Sequence, residues 1–316
     1  MKPTTRLPFS LARLAVGCEQ LGGTDWGDVD ITSVSEGVRA AWDAGVDTFD
    51  TASVYGLGRS EETLATVLGD ARHSAIIATK CGYSWETSRD SRARTVLDGR
   101  PASIARSTHD SLRRLRLERL NLLQLHRPDP EVPIGESIGA MTELMDEGVV
   151  EAIGCSNVTP AQLLEACAAG PISTVQTAYS LLHRDAEQEL LPLCARHGIS
   201  VLAYGALGHG LLSGKYGASA TFPPNDRRSR LSDFQGDQLI HNLDVARRVA
   251  RVARSRDLSP VQIALAWVLV NPSITTVIAG IRSRAQLLEN LEATTIALTV
   301  AECRHLEGHD DSRVDH

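Results

Sequence analysis

An aspartate and a tyrosine lie five positions apart in the stretch that runs from Phe49 to Gly56. Asp50 closes an apolar run, and Tyr55 precedes a glycine at which a turn is expected. A phenol has an ordinary pKa of about 10, so it serves as a proton donor at neutral pH only when its surroundings tune that value. The pair predicts a general-acid site, provided that other segments supply supporting charges.

Two further apolar runs end in residues that can support such an acid. Lys80 closes the run that starts at Ala75, and His126 closes the run that starts at Leu120. Each residue has a structural alternative: Asp50 can cap a helix, Lys80 can be a solvated strand end, and His126 can be a hydrogen-bonded core residue. Their joint occurrence at the ends of apolar runs favours one shared site.

These runs belong to a regular alternation of apolar and amphipathic segments. Short runs rich in β-branched residues are typical of parallel strands that are covered on both faces. Helix-capping residues and glycines mark the amphipathic stretches between them. The predicted strands are Leu11–Val16, Val46–Asp50, Ala75–Lys80, Leu120–His126, Ala152–Ser156, Thr174–Ala178, Ser200–Tyr204 and Thr275–Ala279. The predicted helices are Val34–Ala44, Ser60–Leu68, Pro101–Leu115, Ile134–Glu147, Pro160–Cys167, Glu187–His197 and Pro260–Val270.

The alternation favours an α/β fold, a single (β/α)₈ TIM barrel, over an open doubly wound sheet. The 316 residues fit one barrel domain over the whole chain, because such barrels commonly reach about 250 residues or more. The alternation of apolar and amphipathic segments is interrupted between about residues 205 and 240, where Gly, Ser, Pro, Asp and Arg are frequent. A long loop after a strand end predicts a lid over a ligand site, here over a cofactor.

Composition excludes several classes of protein. The net charge of −7 argues against a nucleic-acid partner, and the cluster Arg227, Arg228 and Arg230 is interpreted as a solvated loop. No apolar run approaches the roughly 20 residues that span a bilayer. The six cysteines form no C-x-x-C pair, and no secretory leader is recognisable, so we expect a cytoplasmic protein with reduced thiols and no metal site.

The strand-end residues resemble the catalytic tetrad of the aldo-keto reductase superfamily, whose fold is the same barrel. The resemblance implies that Tyr55 donates a proton to a carbonyl oxygen. Lys80, held by Asp50, would lower the pKa of Tyr55, and His126 would orient the carbonyl and stabilise the developing oxyanion. The matching stretches are Asp50–Gly56, Ala78–Lys80 and Leu125–His126.

Other stretches are similar to the segments with which this superfamily binds its cofactor, implied to be NADPH. Ser156, Asn157 and Gln176 would bind the carboxamide, and Tyr204 would stack on the nicotinamide ring. The planar guanidinium of Arg282 is suited to a ribose 2′-phosphate. The remaining cofactor residues implied by the resemblance are Gly205, Leu207, Gly210, Leu212, Lys215, Gly280, Gln286 and Asn290.

The expected function is therefore NADPH-dependent reduction of an aldehyde or ketone. Glu19 departs from the common pattern, and its carboxylate either accepts hydrogen bonds from a polyol or sugar or turns to solvent. Trp26 and Trp85 are predicted as aromatic walls of the substrate pocket. Two alternatives remain: a sugar or nucleotide-sugar ketoreductase, and a non-catalytic, cofactor-sensing regulatory subunit. The natural substrate, the physiological direction and the oligomeric state are left open.

Overall fold

The computed structural model describes residues 6–86 and 94–309; residues 1–5, 87–93 and 310–316 of the predicted domain lie outside this range. Eight parallel strands close into a barrel in the order β1-β10-β9-β8-β7-β6-β3-β2, and β4 and β5 pair as a separate antiparallel hairpin. The predicted barrel is confirmed, whereas the hairpin was not predicted. The strands are β1 (Leu14–Gly17), β2 (Thr48–Asp50), β3 (Ile76–Cys81), β4 (Tyr83–Glu86), β5 (Arg94–Leu97), β6 (Leu120–Leu125), β7 (Val150–Ser156), β8 (Ile172–Ala178), β9 (Ser200–Tyr204) and β10 (Ile274–Gly280).

Helices connect the strands and surround the barrel. All seven predicted helices are present, with ends that differ by at most a few residues from the prediction. Two helices, Gly236–Ser255 and Val300–Leu306, were missed. Among the described helices, none combines the length and the apolar character needed to cross a membrane. The helices are α1 (Ile31–Asp43), α2 (Arg59–Leu68), α3 (Pro101–Leu115), α4 (Ile134–Asp146), α5 (Pro160–Ala169), α6 (Leu190–His197), α7 (Gly236–Ser255), α8 (Pro260–Val270), α9 (Arg284–Glu292) and α10 (Val300–Leu306).

Local sequence fixes several helix ends. Thr159 and Ser259 cap α5 and α8 through capping boxes, in which the side-chain oxygen of a glutamine three residues later accepts from the backbone N–H of the cap residue. A proline occupies the first helical position after each cap. Gly198 ends α6 in the left-handed conformation, with φ of 64°. These short-range interactions explain why the predicted boundaries agree with the structure.

The core has two layers. A large cluster of Leu, Ile and Val side chains fills the space between the strands and the helices. A smaller cluster, formed by Ala15, Ala78, Leu122, Ala152, Leu202 and Ile278, fills the barrel interior. Side chains alternate along a strand, so Lys80 lies on the same face of β3 as Ala78 and one step nearer the carboxyl-terminal rim. The barrel thereby directs polar strand-end residues towards one shared space.

The long loop is shorter than predicted and is ordered by its own contacts. It ends at residue 235, because α7 begins at Gly236. Three short 3₁₀ helices and a cluster of aromatic rings, Tyr216, Phe222 and Phe234, organise it. An antiparallel bridge from Asp226 to Trp26 ties the loop to the segment after β1. The loop therefore covers the carboxyl-terminal rim instead of extending into solvent.

Candidate active site

Lys80 is the centre of a buried polar cluster at the carboxyl-terminal rim. Its Nζ donates to Asp50 Oδ2 at 2.6 Å, to the Thr51 carbonyl at 2.8 Å and to the Tyr55 hydroxyl at 3.5 Å. The side chains of Lys80 and Asp50 are only 1% and 6% exposed. A buried ammonium requires such partners, because an unpaired buried charge is strongly destabilising. Three residues of the predicted tetrad are therefore in direct contact.

His126 completes this group from the strand next to β3. Its ring meets the Tyr55 ring edge to face, with 5.7 Å between the ring centroids. Burial, and then the positive charges of Lys80, Arg127 and Arg227, lower the pKa of the imidazole well below its ordinary value. The imidazole is therefore neutral at pH 7 and has one N–H to donate.

The pKa of Tyr55 shifts in the direction opposite to the one predicted. Burial raises it well above its ordinary value, and the carboxylates of Glu19 and Asp50 raise it further. The Lys80 ammonium favours the phenolate, but it lies closer to Asp50 than to the phenol, and its effect does not outweigh that of burial. The predicted net lowering of the Tyr55 pKa is therefore wrong. The phenol stays protonated at neutral pH, which is the form that a proton donor needs.

Two glycines hold the Tyr55 loop against the segment that follows β1. A Cβ added to Gly22 would lie 2.8 Å from the backbone nitrogen of Gly56 and 2.9 Å from the carbonyl carbon of Tyr55. Gly56 itself has φ of 59°, in the region that favours glycine. Only glycine at both positions allows this close approach, which brings the segment containing Glu19 next to Tyr55.

A large cavity opens at this rim, with a volume of about 1370 Å³. This exceeds the roughly 300–1,000 Å³ of a typical pocket for one small ligand, so it has room for a dinucleotide and a substrate. Asp50, Tyr55 and His126 line it, whereas Lys80 lies behind them. The predicted cofactor residues that line it are Ser156, Asn157, Gln176, Tyr204, Gly205, Leu207, Gly210, Lys215, Gly280, Arg282, Gln286 and Asn290. Leu212 is fully buried and is not among the lining residues.

The three residues predicted to bind the carboxamide differ in how much of their hydrogen-bonding capacity is unused. Asn157 Nδ2 donates to the His126 carbonyl and to Ser156 Oγ, and its Oδ1 accepts from the Tyr204 hydroxyl at 2.6 Å. Gln176 Nε2 donates to Asp50 Oδ1 at 2.7 Å. Asn157 therefore braces the site, while the Ser156 hydroxyl and the Gln176 amide oxygen keep hydrogen-bonding capacity for a ligand.

Basic residues also line the cavity. Arg282 follows β10, and Lys215 belongs to the long loop. The Arg282 Nη2 donates to the Trp26 carbonyl at 2.8 Å, and its backbone N–H donates to Gln286 Oε1 at 2.9 Å. The predicted role of Gln286 in cofactor binding thus competes with this hydrogen bond. Cations and neutral amides that line one cavity are donors and acceptors suited to a phosphorylated dinucleotide with a carboxamide.

Glu19 does not turn to solvent. It lines the cavity and forms an ion pair with Arg227 of the long loop, with 2.9 and 3.1 Å between Arg227 Nη1 and the two carboxylate oxygens. Burial raises the pKa of Glu19, and the charge of Arg227 opposes that increase. Arg227 was interpreted as part of a solvated loop, and that interpretation is wrong. Its partner is 208 positions away in sequence, so no local pattern could have revealed it.

The neighbouring Arg228 is also not solvated. It is buried, forms an ion pair with Asp226 and donates to the Tyr216 hydroxyl. Its guanidinium lies 4.5 Å from the Phe222 ring centroid. Arg228 therefore stabilises the fold of the loop, and only Arg230, with a side chain 58% exposed, fits the predicted description.

The two predicted aromatic walls have different surroundings. Trp26 lines the cavity, where it stacks on His209 at 5.8 Å and lies beneath the Arg227 guanidinium at 5.3 Å. Trp85 lies outside this cavity, on β4, with its ring against Arg114. Tyr83 is the residue of β4 that reaches the site, with its ring 5.1 Å from that of His126. It was missed because the hairpin was missed.

The chain is similar to known proteins over almost its whole length. Residues 13–311 match the model of the Aldo/keto reductase family. The aldo-keto reductase YhdN of Bacillus subtilis is 34% identical over 279 residues, which cover 87% of this chain and 83% of that protein. Glycerol dehydrogenase AKR11B4 from Gluconobacter oxydans has a TM-score of 0.87 at 34% identity, with 98% and 95% of the two chains covered. The holo form of aldo-keto reductase AKR11C1 from Bacillus halodurans has a TM-score of 0.78 at 28% identity, with 97% and 95% covered.

Proposed function

Because the chain belongs to the aldo/keto reductase family, we propose that it is an NADPH-dependent oxidoreductase that reduces an aldehyde or a ketone to an alcohol, with Tyr55 as the proton donor. Family membership supports the coarser statement, an oxidoreductase acting on small carbonyl compounds. The observation that carries the finer proposal is the buried contact of Lys80 with both Asp50 and the Tyr55 hydroxyl, at the edge of a cavity that His126 also lines.

The proposed proton transfer follows from the state of each side chain. Tyr55 is protonated at neutral pH and gives its proton to the carbonyl oxygen as negative charge develops there. The Lys80 ammonium, 3.5 Å away, then stabilises the phenolate that remains. The neutral His126 donates its N–H to the same oxygen and orients the carbonyl. NADPH, when bound, would supply the hydride that reduces the carbonyl carbon.

The cavity supports a specific orientation of the cofactor. The Ser156 hydroxyl and the Gln176 amide oxygen suit a carboxamide, and the Tyr204 ring, which lines the same cavity, suits stacking on a flat heterocycle. Arg282 and Lys215 suit phosphate groups. In this proposed orientation, the reacting end of the dinucleotide would lie beside Tyr55 and His126.

The site is compatible with both directions of the reaction, reduction of a carbonyl and oxidation of an alcohol. The structural relative from Gluconobacter oxydans is named as a glycerol dehydrogenase, which supports chemistry at an alcohol carbon in this fold. The same four residues serve oxidation if the phenolate form of Tyr55 accepts the proton. Because the pKa of Tyr55 is raised, the protonated form that reduction requires predominates near neutral pH.

Cofactor choice is tested with Arg282→Ala. Loss of the guanidinium should raise the KM for NADPH by roughly 10- to 100-fold, as expected for one or two charge-assisted hydrogen bonds, and change the KM for NADH far less. The measurement is steady-state reduction of a simple aldehyde with each cofactor. Arg284→Ala, which changes an arginine two positions further along the chain and outside the cavity lining, is the matched control. An equal increase in KM for both cofactors would contradict a role of Arg282 in binding the 2′-phosphate.

A further inference from the structure

The Glu19–Arg227 ion pair lines the same cavity as Tyr55 and His126. The close glycine contact between Gly22 and Gly56 holds the segment of Glu19 beside the backbone of Tyr55. The charge of Glu19 raises the pKa of Tyr55, and the charge of Arg227 contributes to the lowered pKa of His126. A molecule that contacts Tyr55 and His126 therefore also comes within reach of this pair.

The pair is not needed to hold the loop in place. The backbone N–H of Arg227 donates to the Asp25 carbonyl at 2.8 Å, and Asp226 forms a bridge with Trp26. A second ion pair, Arg230–Asp25 at 3.2 Å, joins the same two segments further out. The side chains of Glu19 and Arg227 add charge to the cavity wall at a place where the backbone already provides the attachment.

The pair retains unused hydrogen-bonding capacity. Both oxygens of Glu19 accept from a single atom, Arg227 Nη1, although a carboxylate has about four acceptor sites and a guanidinium five N–H groups. The side chains are 21% and 31% exposed, and both residues line the cavity. The Trp26 indole N–H is buried and forms no hydrogen bond within the described part of the chain. It nevertheless lies close enough to Glu19 to lower the pKa of that carboxyl group.

Hydroxyl groups suit this wall better than other ligand groups. A hydroxyl donates to the Glu19 carboxylate and accepts from the Arg227 guanidinium. It therefore replaces the hydrogen bonds to water that both charged groups lose when a substrate binds. An alkyl chain would leave two buried charges without that water, which is unfavourable. An anionic substrate would meet repulsion from Glu19 and would compete with it for Arg227.

We propose that Glu19 and Arg227 are specificity-determining residues that select neutral carbonyl substrates with a hydroxyl group near the reacting carbon. The substrate class is hydroxyaldehydes and hydroxyketones, small sugars included. This inference rests on the proposed carbonyl reduction and adds the class of compound that the site prefers. It also changes the sequence-based expectation, because the hydroxyl is bound by an ion pair and not by a free carboxylate.

The test compares glyceraldehyde with propanal, which have the same carbon chain, in reduction by NADPH. The wild-type protein should favour glyceraldehyde in kcat/KM by about tenfold or more, since sites built to bind a hydroxyl reject the analogue that lacks it. In the double variant Glu19→Leu/Arg227→Leu, which leaves no unpaired charge, this ratio should fall to about threefold or less. The double variant Asp25→Asn/Arg230→Gln is the matched control, because it removes the outer ion pair between the same segments, and it should keep the wild-type ratio.

The outcomes separate the inference from the function on which it rests. If the wild-type protein reduces both aldehydes equally well, the inference fails and the proposed reductase function stands. If it reduces neither, both fail. Should the double variant not fold, competitive inhibition of propanal reduction in the wild-type protein gives the answer: glycerol should inhibit about tenfold or more strongly than 1-propanol. Equal inhibition by the two alcohols would overturn the inference.

Discussion

Two buried ion pairs lie on opposite sides of β3, and their neighbours give them different roles. Lys80–Asp50 lies inside the barrel, with 2.6 Å between Lys80 Nζ and Asp50 Oδ2. Arg114–Glu61 lies outside it, also at 2.6 Å, where α2 and α3 cover the strand. Both carboxylates are almost completely buried. The distance and the burial of the carboxylate are thus nearly equal in the two pairs.

The difference lies in what each pair leaves for a ligand. Glu61 also accepts from the Thr79 hydroxyl at 2.6 Å, and the Arg114 guanidinium is covered by the Trp85 ring. Lys80 instead extends its third hydrogen bond to the Tyr55 hydroxyl, which borders the cavity. A buried ion pair is therefore weak evidence for function by itself, and its contact with a group that reaches the cavity is the informative feature.

Breaking the inner pair should give the largest change. In Lys80→Met the phenolate of Tyr55 would lose its neighbouring charge, so kcat/KM for carbonyl reduction should fall by about 10²- to 10⁴-fold. Asp50 would remain buried with Gln176 as its hydrogen-bond donor, so the free energy of unfolding should also drop by about 3–5 kcal/mol. Steady-state kinetics and urea unfolding measure the two effects. Activity within a few fold of the wild type would rule out a catalytic role for Lys80.

Breaking the outer pair should change stability without a comparable change in activity. Arg114→Met leaves Glu61 buried with one hydrogen bond, which should lower the free energy of unfolding by about 3–5 kcal/mol. The folded protein should keep kcat/KM within a few fold, because neither residue of the pair borders the main cavity. The double variant Glu61→Leu/Arg114→Met should recover part of the stability, since it leaves no unpaired charge. A hundredfold loss of activity in Arg114→Met would mean that the outer pair supports the reaction.

The smallest expected effect is that of pH. Protonation of His126 is disfavoured by burial, so activity should stay flat, within about twofold, as pH falls from about 8 to about 6. Tyr55 should stay protonated up to alkaline pH because its pKa is raised. Stability behaves differently: the unfolded chain binds a proton at His126 below about pH 6.5 and the folded chain does not, so stability falls there as pH falls. A pH–rate profile is the measurement, and an acid limb with a midpoint near 6.5 would contradict a buried, neutral imidazole.

The residues at strand ends were predictable because local sequence encodes them. A buried parallel strand requires an apolar run, so the polar residue that ends such a run stands out, as Asp50, Lys80 and His126 do. Their meeting at one rim then follows from the closed barrel. Helix α7 was missed because its many charged residues obscure the apolar face that it buries.

Other properties of the site depend on contacts distant in sequence. The arginine at position 227 is half-buried only because the loop packs against the segment of Glu19. The raised pKa of Tyr55 comes mainly from burial, which residue types alone do not reveal. Tyr83 and Trp85 share one face of β4, two residues or roughly 7 Å apart, and only the hairpin's position decides which of them reaches His126.

The central claim, that Tyr55 gives the proton, is tested most directly by Tyr55→Phe, which removes one oxygen and keeps the ring. Two quantities are measured: the affinity for NADPH, by fluorescence titration, and the rate of aldehyde reduction, by steady-state kinetics. We predict that NADPH binds with an affinity within a few fold of the wild type while kcat falls by about 10²- to 10⁴-fold, as expected for loss of a general acid. Unchanged turnover with normal NADPH binding would contradict the assignment of Tyr55 as the proton donor.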